Sequence, residues 1–449
     1  MQAFDLIVIG TGSAGKTVAE AARKAGKSVA IIDKLPFGGT CSQRGCDPKK
    51  VLVGAAEIVA RSEQLAGKGI REKASINWAD LIRFKKTFTD PIPENTEQKF
   101  IDQGIHIFRG VATFLSPRTL RVGDDELQAD YIVIATGHRP QPLDISGEEL
   151  LTDSTGFMDL AELPAEIVMV GGGYIAFEFA QIAARAGAKV TILHRGKRPL
   201  EGFDADLVAL LVKAMRAIGI FIVLDAKVTS VEGEAQALTV HYERDGDSHK
   251  ASANLVVHAA GRVADVAELA LEKAGVAAGK NGVTVNKYLQ SVSNPAIYAC
   301  GDVADKGLPL TPLASYEGNI VASNILKGNQ KTYSDDPVPT TVFTVPSMAS
   351  VGLTEEQAHE QGRSVTVMFE ETDSWYVSRR INESTSAYKI LVDQETNQLV
   401  GAHLIGSGSE ELINLFTLAM KHRISAKDLG DTLLAYPTHA SDLKSMLPD

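Results

Sequence analysis

Phe4-Asp-Leu-Ile-Val-Ile-Gly10-Thr-Gly12-Ser13-Ala-Gly15 opens the chain, and its reading decides the fold. An apolar run rich in β-branched residues, Asp5–Ile9, meets a GxGxxG turn. An amphipathic helix over Thr17–Ala25 follows, then a second apolar run, Ser28–Ile32. At this length strand, helix and strand make a right-handed βαβ unit, so the strands belong to a parallel sheet. The glycines permit a tight turn and bring the backbone close to a pyrophosphate, where the helix N-terminus adds a positive dipole. Asp33, at the end of the second strand, is placed to accept hydrogen bonds from a ribose 2′-hydroxyl. The turn alone does not separate FAD from NAD.

The same design returns downstream. Ile167–Val170 leads into Gly171-Gly-Gly173, a helix over Tyr174–Ala186 and a strand over Lys189–Leu193. Two βαβ units predict two nucleotide-binding domains. From Pro337 the pattern changes: Val342–Phe343, Ser364–Phe369, Tyr388–Val392 and Leu399–Ile405 alternate as antiparallel strands do. Helices over Glu410–His422 and about Thr438–Met446 come after them. This reads as a separate α+β domain. The whole is an α/β protein with two Rossmann-like domains and a C-terminal α+β domain.

Composition narrows the class. A net charge of −11 argues against nucleic acid and anionic membrane as partners. No run approaches the ~18 apolar residues of a membrane span, and no secretory leader is visible, so a cytoplasmic protein is expected. Three cysteines are too few for a disulfide scaffold, so a close pair points to redox or metal chemistry.

That pair lies in Gly38-Gly39-Thr40-Cys41-Ser-Gln-Arg-Gly45-Cys46-Asp47-Pro48-Lys49-Lys50. On a regular helix, residues five apart stand about 7.5 Å apart along the axis. A disulfide holds its Cα atoms nearer ~5.5–6 Å. A bridge therefore demands a distorted turn, which Gly45 permits, and a bridge in such a turn is easily reduced. Asp47 reads as an N-cap and Pro48 as the first helical residue, which sets Cys46 beside a helix N-terminus that stabilises a thiolate. The other reading is two unpaired structural cysteines. Zinc lacks a second ligand pair.

With these blocks the chain resembles the pyridine nucleotide–disulfide oxidoreductases, which include glutathione reductase, lipoamide dehydrogenase and mercuric reductase. The likeness covers essentially the whole chain. Its landmarks are the cysteine block, Ala135-Thr136-Gly137, Gly171–Glu178, Ala260-Gly261-Arg262, Tyr298–Asp302, Leu310-Thr311-Pro312 and Ser350–Glu355. The resemblance implies an FAD domain over 1–150 and 280–330, an NAD(P)H domain over 151–279, and a dimerisation domain over 335–449. It implies a homodimer whose active site is shared between subunits. FAD would be held by Gly10, Gly12, Ser13, Gly15, Asp33, Gly39 and Thr40, with Lys50, Thr136, Gly137, Asp302 and Thr311. The nicotinamide cofactor would lie on Gly171, Gly173, Tyr174, Ile175 and Gly261. Tyr174 would cover the flavin until nicotinamide displaces it. By the same likeness Cys46 faces the flavin as the charge-transfer thiolate and Cys41 attacks the substrate. Lys49 or Lys50 pairs with Glu178 near the flavin. Cys300 reads as a buried structural cysteine.

His194-Arg195-Gly-Lys197-Arg198 follows the second strand, where NAD sites usually place an acid. Four basic or potentially basic groups suit a 2′-phosphate, so NADPH is expected before NADH. Arg195 matches an NADPH-binding arginine of glutathione reductases, whose second arginine is Glu201 here; Arg198 or Lys197 would replace it.

The chain also departs from the family. Where the family has His-Pro-Thr, a partner-subunit proton shuttle, this chain has Tyr436-Pro-Thr-His439-Ala-Ser-Asp442. Tyrosine, with a reference pKa about 10, is a poor base at neutral pH. His439, oriented by Asp442, is the candidate replacement. Two arginines that clamp glutathione's carboxylates correspond to Glu20 and Asn319, and Glu20 would repel an anionic peptide. The mercuric C-terminal cysteine pair is missing. The expectation is reduction of a small disulfide or persulfide other than glutathione disulfide. The alternative is a flavin-based transhydrogenase or an NADPH oxidase or quinone reductase that bypasses the cysteines.

Overall fold

The computed structural model describes residues 1–334 and 336–448. The chain divides into two compact units: Met1–Lys49 with Arg83–Pro142 and Gly261–Asp335, and Lys50–Ile82 with Leu143–Ala260 and Asp336–Asp449.

The first unit is built on a seven-stranded sheet. Gln2–Ile9 runs parallel to Val29–Asp33 on one side and to Asp125–Ile134 on the other. His106–Arg109 and Ile297–Ala299 extend the parallel set. Ala112–Ser116 and Thr119–Val122 add an antiparallel hairpin. The first strand is apolar on both faces because helices or loops cover both. Ile7 and Ile9 pack in one buried cluster, Leu6 and Val8 in another. The parallel strands finish together, so Gly10, Asp33, Ala135 and Cys300 all stand at the carboxyl edge, where ligands of such sheets bind. The first helix is Ser13–Lys24, one turn earlier than the expected Thr17 start.

In the second unit Phe221–Val223, Lys189–Leu193, Glu166–Val170 and Leu255–His258 form a parallel sheet, joined by a three-stranded antiparallel meander. A five-stranded antiparallel sheet follows, in the order Thr340–Val342, Met348–Gly352, Leu399–Ile405, Ala387–Asp393, Val365–Glu371. Helix Ser409–Lys421 covers it with Ile413 and Phe416. The expected last helix is a 3-10 helix, His439–Met446, capped by Thr438.

Two details differ from the sequence reading. The chain re-enters the first unit at Gly261, not near 280, because Arg262–Ala264 pairs with His138–Pro140. The segment Lys50–Ile82 belongs to the second unit, since Leu52, Val53 and Ala56 pack in the same cluster as Phe177 and Ala180.

Candidate active site

The first glycine turn is drawn tight by backbone contact. A Cβ on Gly39, whose φ is +77°, would stand 2.3 Å from the Cα of Gly12. Two loops thus meet with only backbone between them, which leaves N–H groups for an anion. Ser13 and Gly15 start the helix behind them. Asp33 also has partners within the turn. Its Oδ2 accepts from the Thr11 backbone N–H at 2.9 Å and from Thr11 Oγ1 at 2.6 Å, and its Oδ1 accepts from Leu35 N–H at 2.9 Å. Thr11 in turn accepts from Gly38 N–H at 3.0 Å. The acid therefore braces the two loops, through a threonine at a variable position of GxGxxG, where the motif carries no signal.

Cys41 lies in a short helix, Gly39–Arg44, and Cys46 starts the 19-residue helix Cys46–Gln64. Gly45 separates them with φ −142° and ψ −118°. A Cβ there would sit 2.9 Å from Thr40 O and 3.1 Å from Cys41 Cα, so only glycine lets the two cysteines approach. Asp47 is not the N-cap: the helix begins one residue earlier, at Cys46 itself. Helix Thr311–Lys327 also starts here, with Thr311 Oγ1 3.4 Å from Cys46 Sγ. Two helix N-termini converge on one sulfur, and both favour its anion.

Both thiols are free in this structure, Cys46 exposed and Cys41 half-buried. A hydrogen bond from Cys41 holds Cys46 down to about 6, with help from Thr311 and the charge of Lys49 against the cost of burial. The same bond, with burial, pushes the Cys41 thiol up. The pair shares one proton, with the negative charge on Cys46.

Around the flavin-side turn, Asp302 is raised by burial and steadied by His138 and Arg262. Arg262 donates to the His138 carbonyl at 2.5 Å, and Gly137 O accepts from Asp265 N–H at 2.9 Å. Thr136 Oγ1 is buried with no hydrogen-bond partner among the described residues. An orphaned hydroxyl, a backbone cradle and a carboxylate at one sheet edge fit a dinucleotide. Gly261, expected on the nicotinamide cofactor, belongs to this unit. Cys300 is fully buried, and burial raises its thiol far above the usual range.

In the second unit Gly173 precedes helix Tyr174–Arg185, with Tyr174 exposed and Ile175 half-buried at its start. His194 turns inward: a Cβ on Gly172 would stand 2.5 Å from its ring, and its Nε2 lies 3.0 Å from Arg198 O. Arg198 donates to Glu201 O at 3.3 Å and pairs with Glu356 at 3.5 Å. The expected cluster of four basic groups therefore reduces to Arg195 and Lys197, both exposed. Glu178 is fully buried and accepts from Phe343 N–H at 2.7 Å. Lys50 is committed elsewhere, paired with Glu57 at 2.8 Å and set over the Phe343 ring.

Tyr436 is 77% exposed and stacks on Tyr376, ring centroids 6.4 Å apart. His439 is lowered by burial first and then by Arg380. Asp442 does not orient it. The Asp442 carboxyl is raised by burial alone, and its Oδ2 is buried without a partner among the described residues. Glu20 pairs with Lys99 at 2.6 Å, which neutralises the repulsion expected of it, and Asn319 bonds its own helix at Ser315 O. Among the described residues no His, Cys, Asp and Glu cluster could hold a metal. No helix among them is long and apolar enough to cross a membrane.

Residues 4–318 match the model for the pyridine nucleotide-disulphide oxidoreductases, and residues 338–447 match their dimerisation domain. Mercuric reductase of Staphylococcus aureus is 32% identical over 98% of this chain and 81% of its own length. Glutathione reductase of Burkholderia cepacia is 35% identical over 99% of this chain and 98% of its own. Among solved structures, the HOCl-induced flavoprotein disulfide reductase RclA of Escherichia coli, as a Cu(II) complex, superposes with a TM-score of 0.88. It is 30% identical, and the match covers 99% of both chains.

Proposed function

The chain belongs to the pyridine nucleotide-disulphide oxidoreductase family, and from that premise we propose that it reduces a small disulfide or persulfide other than glutathione disulfide. It is an FAD-dependent NAD(P)H:disulfide oxidoreductase that carries the family's dimerisation domain and forms a homodimer. The proposed part is the substrate, the preference for NADPH, the residue roles, the sharing of the site between subunits, and the cytoplasm as location, where NADPH is supplied.

One observation carries the reading: Cys41 and Cys46 are brought together across Gly45, with Cys46 at a helix start and Thr311 Oγ1 3.4 Å from its sulfur. A bound FAD would supply two-electron transfer between the nicotinamide and the Cys41–Cys46 pair. The chain's own residues do the rest. Thr311 and the helix start hold Cys46 as a thiolate. Cys41 passes its proton to Cys46 across their hydrogen bond, and its sulfur attacks the substrate. The substrate S–S bond breaks, Cys41 forms a mixed disulfide, and one half leaves as a thiolate. Cys46 gives its proton to solvent and attacks Cys41. The bridge re-forms and the second half departs. Lys49, with Lys50 bound to Glu57, is the lysine that would serve beside the flavin.

Substrate class follows from what is missing. Neither Glu20, held by Lys99, nor Asn319 offers a cation to a peptide carboxylate. Tyr436 is a weak acid–base group, so a leaving thiol that departs unaided is favoured. Arg195 and Lys197, exposed beyond the second strand, support NADPH.

The test is anaerobic reduction with NADPH, followed by reoxidation with glutathione disulfide, an aromatic disulfide, a persulfide and Cu(II) in turn. Fast reoxidation by the aromatic disulfide or persulfide, and slow by glutathione disulfide, is expected. Efficient turnover of glutathione disulfide refutes the substrate class. Reoxidation only by oxygen, quinone or Cu(II) supports the route that bypasses the cysteines.

A further inference from the structure

Glu356 is an exposed carboxylate that the reaction above does not use, and it faces the basic turn after the strand Lys189–Leu193. That turn is folded onto the second glycine turn at two points. Leu200 N–H donates to the Gly172 carbonyl at 2.9 Å, and the His194 ring lies against Gly172. Asp225 N–H donates to the Gly196 carbonyl at 3.1 Å and holds the turn from its other side. The basic side chains therefore stand beside the loop where a dinucleotide would lie. Arg198, half-buried, is the one among them that Glu356 reaches, at 3.5 Å. The same guanidinium donates to the Glu201 carbonyl at 3.3 Å.

Both partners are held from behind. Glu356 lies in the first turn of helix Glu355–Glu360. Its N-cap Thr354 makes a reciprocal capping box with Gln357, with bonds of 3.2 and 3.0 Å. The neighbouring Glu355 pairs with Lys389 at 2.8 Å. Lys389 is 3% exposed and also pairs with Asp204, at 3.2 Å, and with Asp206. Asp204 caps helix Ala205–Ala217, the first helix after the basic turn, by accepting from the N–H groups of Asp206 and Leu207. One buried ammonium thus ties the segment that leaves the basic turn to the segment that carries Glu356. A buried network with its charges paired fixes both in one arrangement. The Arg198–Glu356 pair joins segments that are already placed.

We propose that Glu356 tunes the coenzyme specificity of this turn: its carboxylate holds Arg198 back from a 2′-phosphate and so limits the advantage of NADPH over NADH. This rests on the preceding section's reading that the 2′-phosphate lies at this turn. A guanidinium binds carboxylate and phosphate with the same fork of N–H groups, so the two compete for Arg198. In the free protein the carboxylate has it. NADH brings a 2′-hydroxyl and no anion, so it has little to gain from a released Arg198. Glu356 thereby acts on one coenzyme through the arginine and hardly on the other.

The test is binding of 2′-AMP to the holoenzyme by calorimetry, with 5′-AMP as the comparison, because the two differ only in where the phosphate sits. In Glu356→Gln the affinity for 2′-AMP should rise about threefold, the scale of an exposed ion pair, while that for 5′-AMP does not rise. Glu356→Ala carries the same forecast where the amide does not fold. Anaerobic stopped-flow of flavin reduction should show the ratio of NADPH to NADH efficiency rising by the same factor. Arg198→Ala should cost the native protein less than about twofold in 2′-AMP affinity, and in Glu356→Gln it should cancel the whole gain. Such non-additivity marks two residues that share one interaction. An unchanged affinity for 2′-AMP in Glu356→Gln overturns the proposal. A gain shared by 5′-AMP overturns it too, as does a gain that survives Arg198→Ala, since the charge would then act without the arginine. The wider reading is tested in the native protein alone. A native ratio of NADPH to NADH efficiency near one removes the preference for NADPH. A native preference with 2′-AMP binding unmoved in Glu356→Gln removes only the role of Glu356.

Discussion

The cysteine turn and the carboxy-terminal turn are the two ends of one reaction in this family, and here they have diverged. At the cysteine end every feature needed to hold a thiolate is present: Gly45, the helix start at Cys46, Thr311 and Lys49. At the other end the expected histidine is Tyr436, exposed and stacked on Tyr376, while His439 stands without Asp442 as its orienting acid. The residues expected to carry electrons are kept, and the residue expected to carry the proton is replaced. A chain that keeps one and relaxes the other suits a substrate whose reduced half leaves as a stable anion.

The largest effect should come from the cysteine end. Cys41→Ser should abolish disulfide turnover, because no sulfur remains to form the mixed disulfide. The variant should nonetheless show the long-wavelength thiolate–flavin band with no reductant added, since Cys46 alone supplies the donor. Stopped-flow turnover and an absorption spectrum check both. Residual activity on a disulfide would break the comparison at its strongest point.

A pH titration tests the same end in native protein. Cys46 is depressed to about 6, so its thiolate is the form above that pH and its thiol the form below. After two-electron reduction the band should hold from pH 8 to about 7, halve near 6 and fade below. A midpoint near the ordinary thiol value of about 8.5 would show that the two helix starts and the Cys41 hydrogen bond do not act on it.

Electron entry gives the next effect. With His194 turned onto Gly172 and Arg198 paired with Glu356, a 2′-phosphate would fall to Arg195 and Lys197. Arg195→Ala should lower kcat/KM for NADPH, relative to NADH, by about 1–3 kcal/mol, the range of a charge-assisted hydrogen bond. Arg198→Ala should do far less. Equal use of NADH by the native protein would remove the second nucleotide turn from the argument.

How much of this was legible follows from how local each signal is. Lys189–Leu193 and Leu399–Ile405 have the bounds read from sequence because their apolar patterns are strong and continuous. The cysteine turn was legible because its geometry is settled within six residues. The strands His138–Pro140 and Arg262–Ala264 were not, since three residues carry no period and the partner is far along the chain. The same holds at the site. Nothing local to Lys50 announces Glu57 as its partner in preference to Glu178, and nothing near Glu20 announces Lys99. Asp33 was placed correctly by the motif, but its bond to Thr11 depends on how the Gly38–Gly39 loop closes over the turn.

The smallest predicted effect decides between two accounts of the carboxy-terminal turn. In one, His439 has inherited the shuttle from the position now held by Tyr436. Burial and Arg380 lower it, so it is neutral at pH 7, the form a proton acceptor requires. In the other, no shuttle is needed, because the leaving thiol departs as an anion without taking a proton. The geometry favours the second: Asp442 does not reach His439, and the carboxylate that could hold an imidazolium is itself raised by burial. His439→Ala should therefore keep activity on an aromatic disulfide within about tenfold, below the ~10²–10⁴ that a true acid–base group contributes. On an alkyl disulfide with a thiol of ordinary pKa the same variant and the native protein should both be slow, with no added penalty from the substitution. A loss of ~10²-fold or more on the aromatic substrate alone would return the shuttle to His439. The two ends of the reaction would then be equally intact, and the contrast between them would reduce to a change of residue.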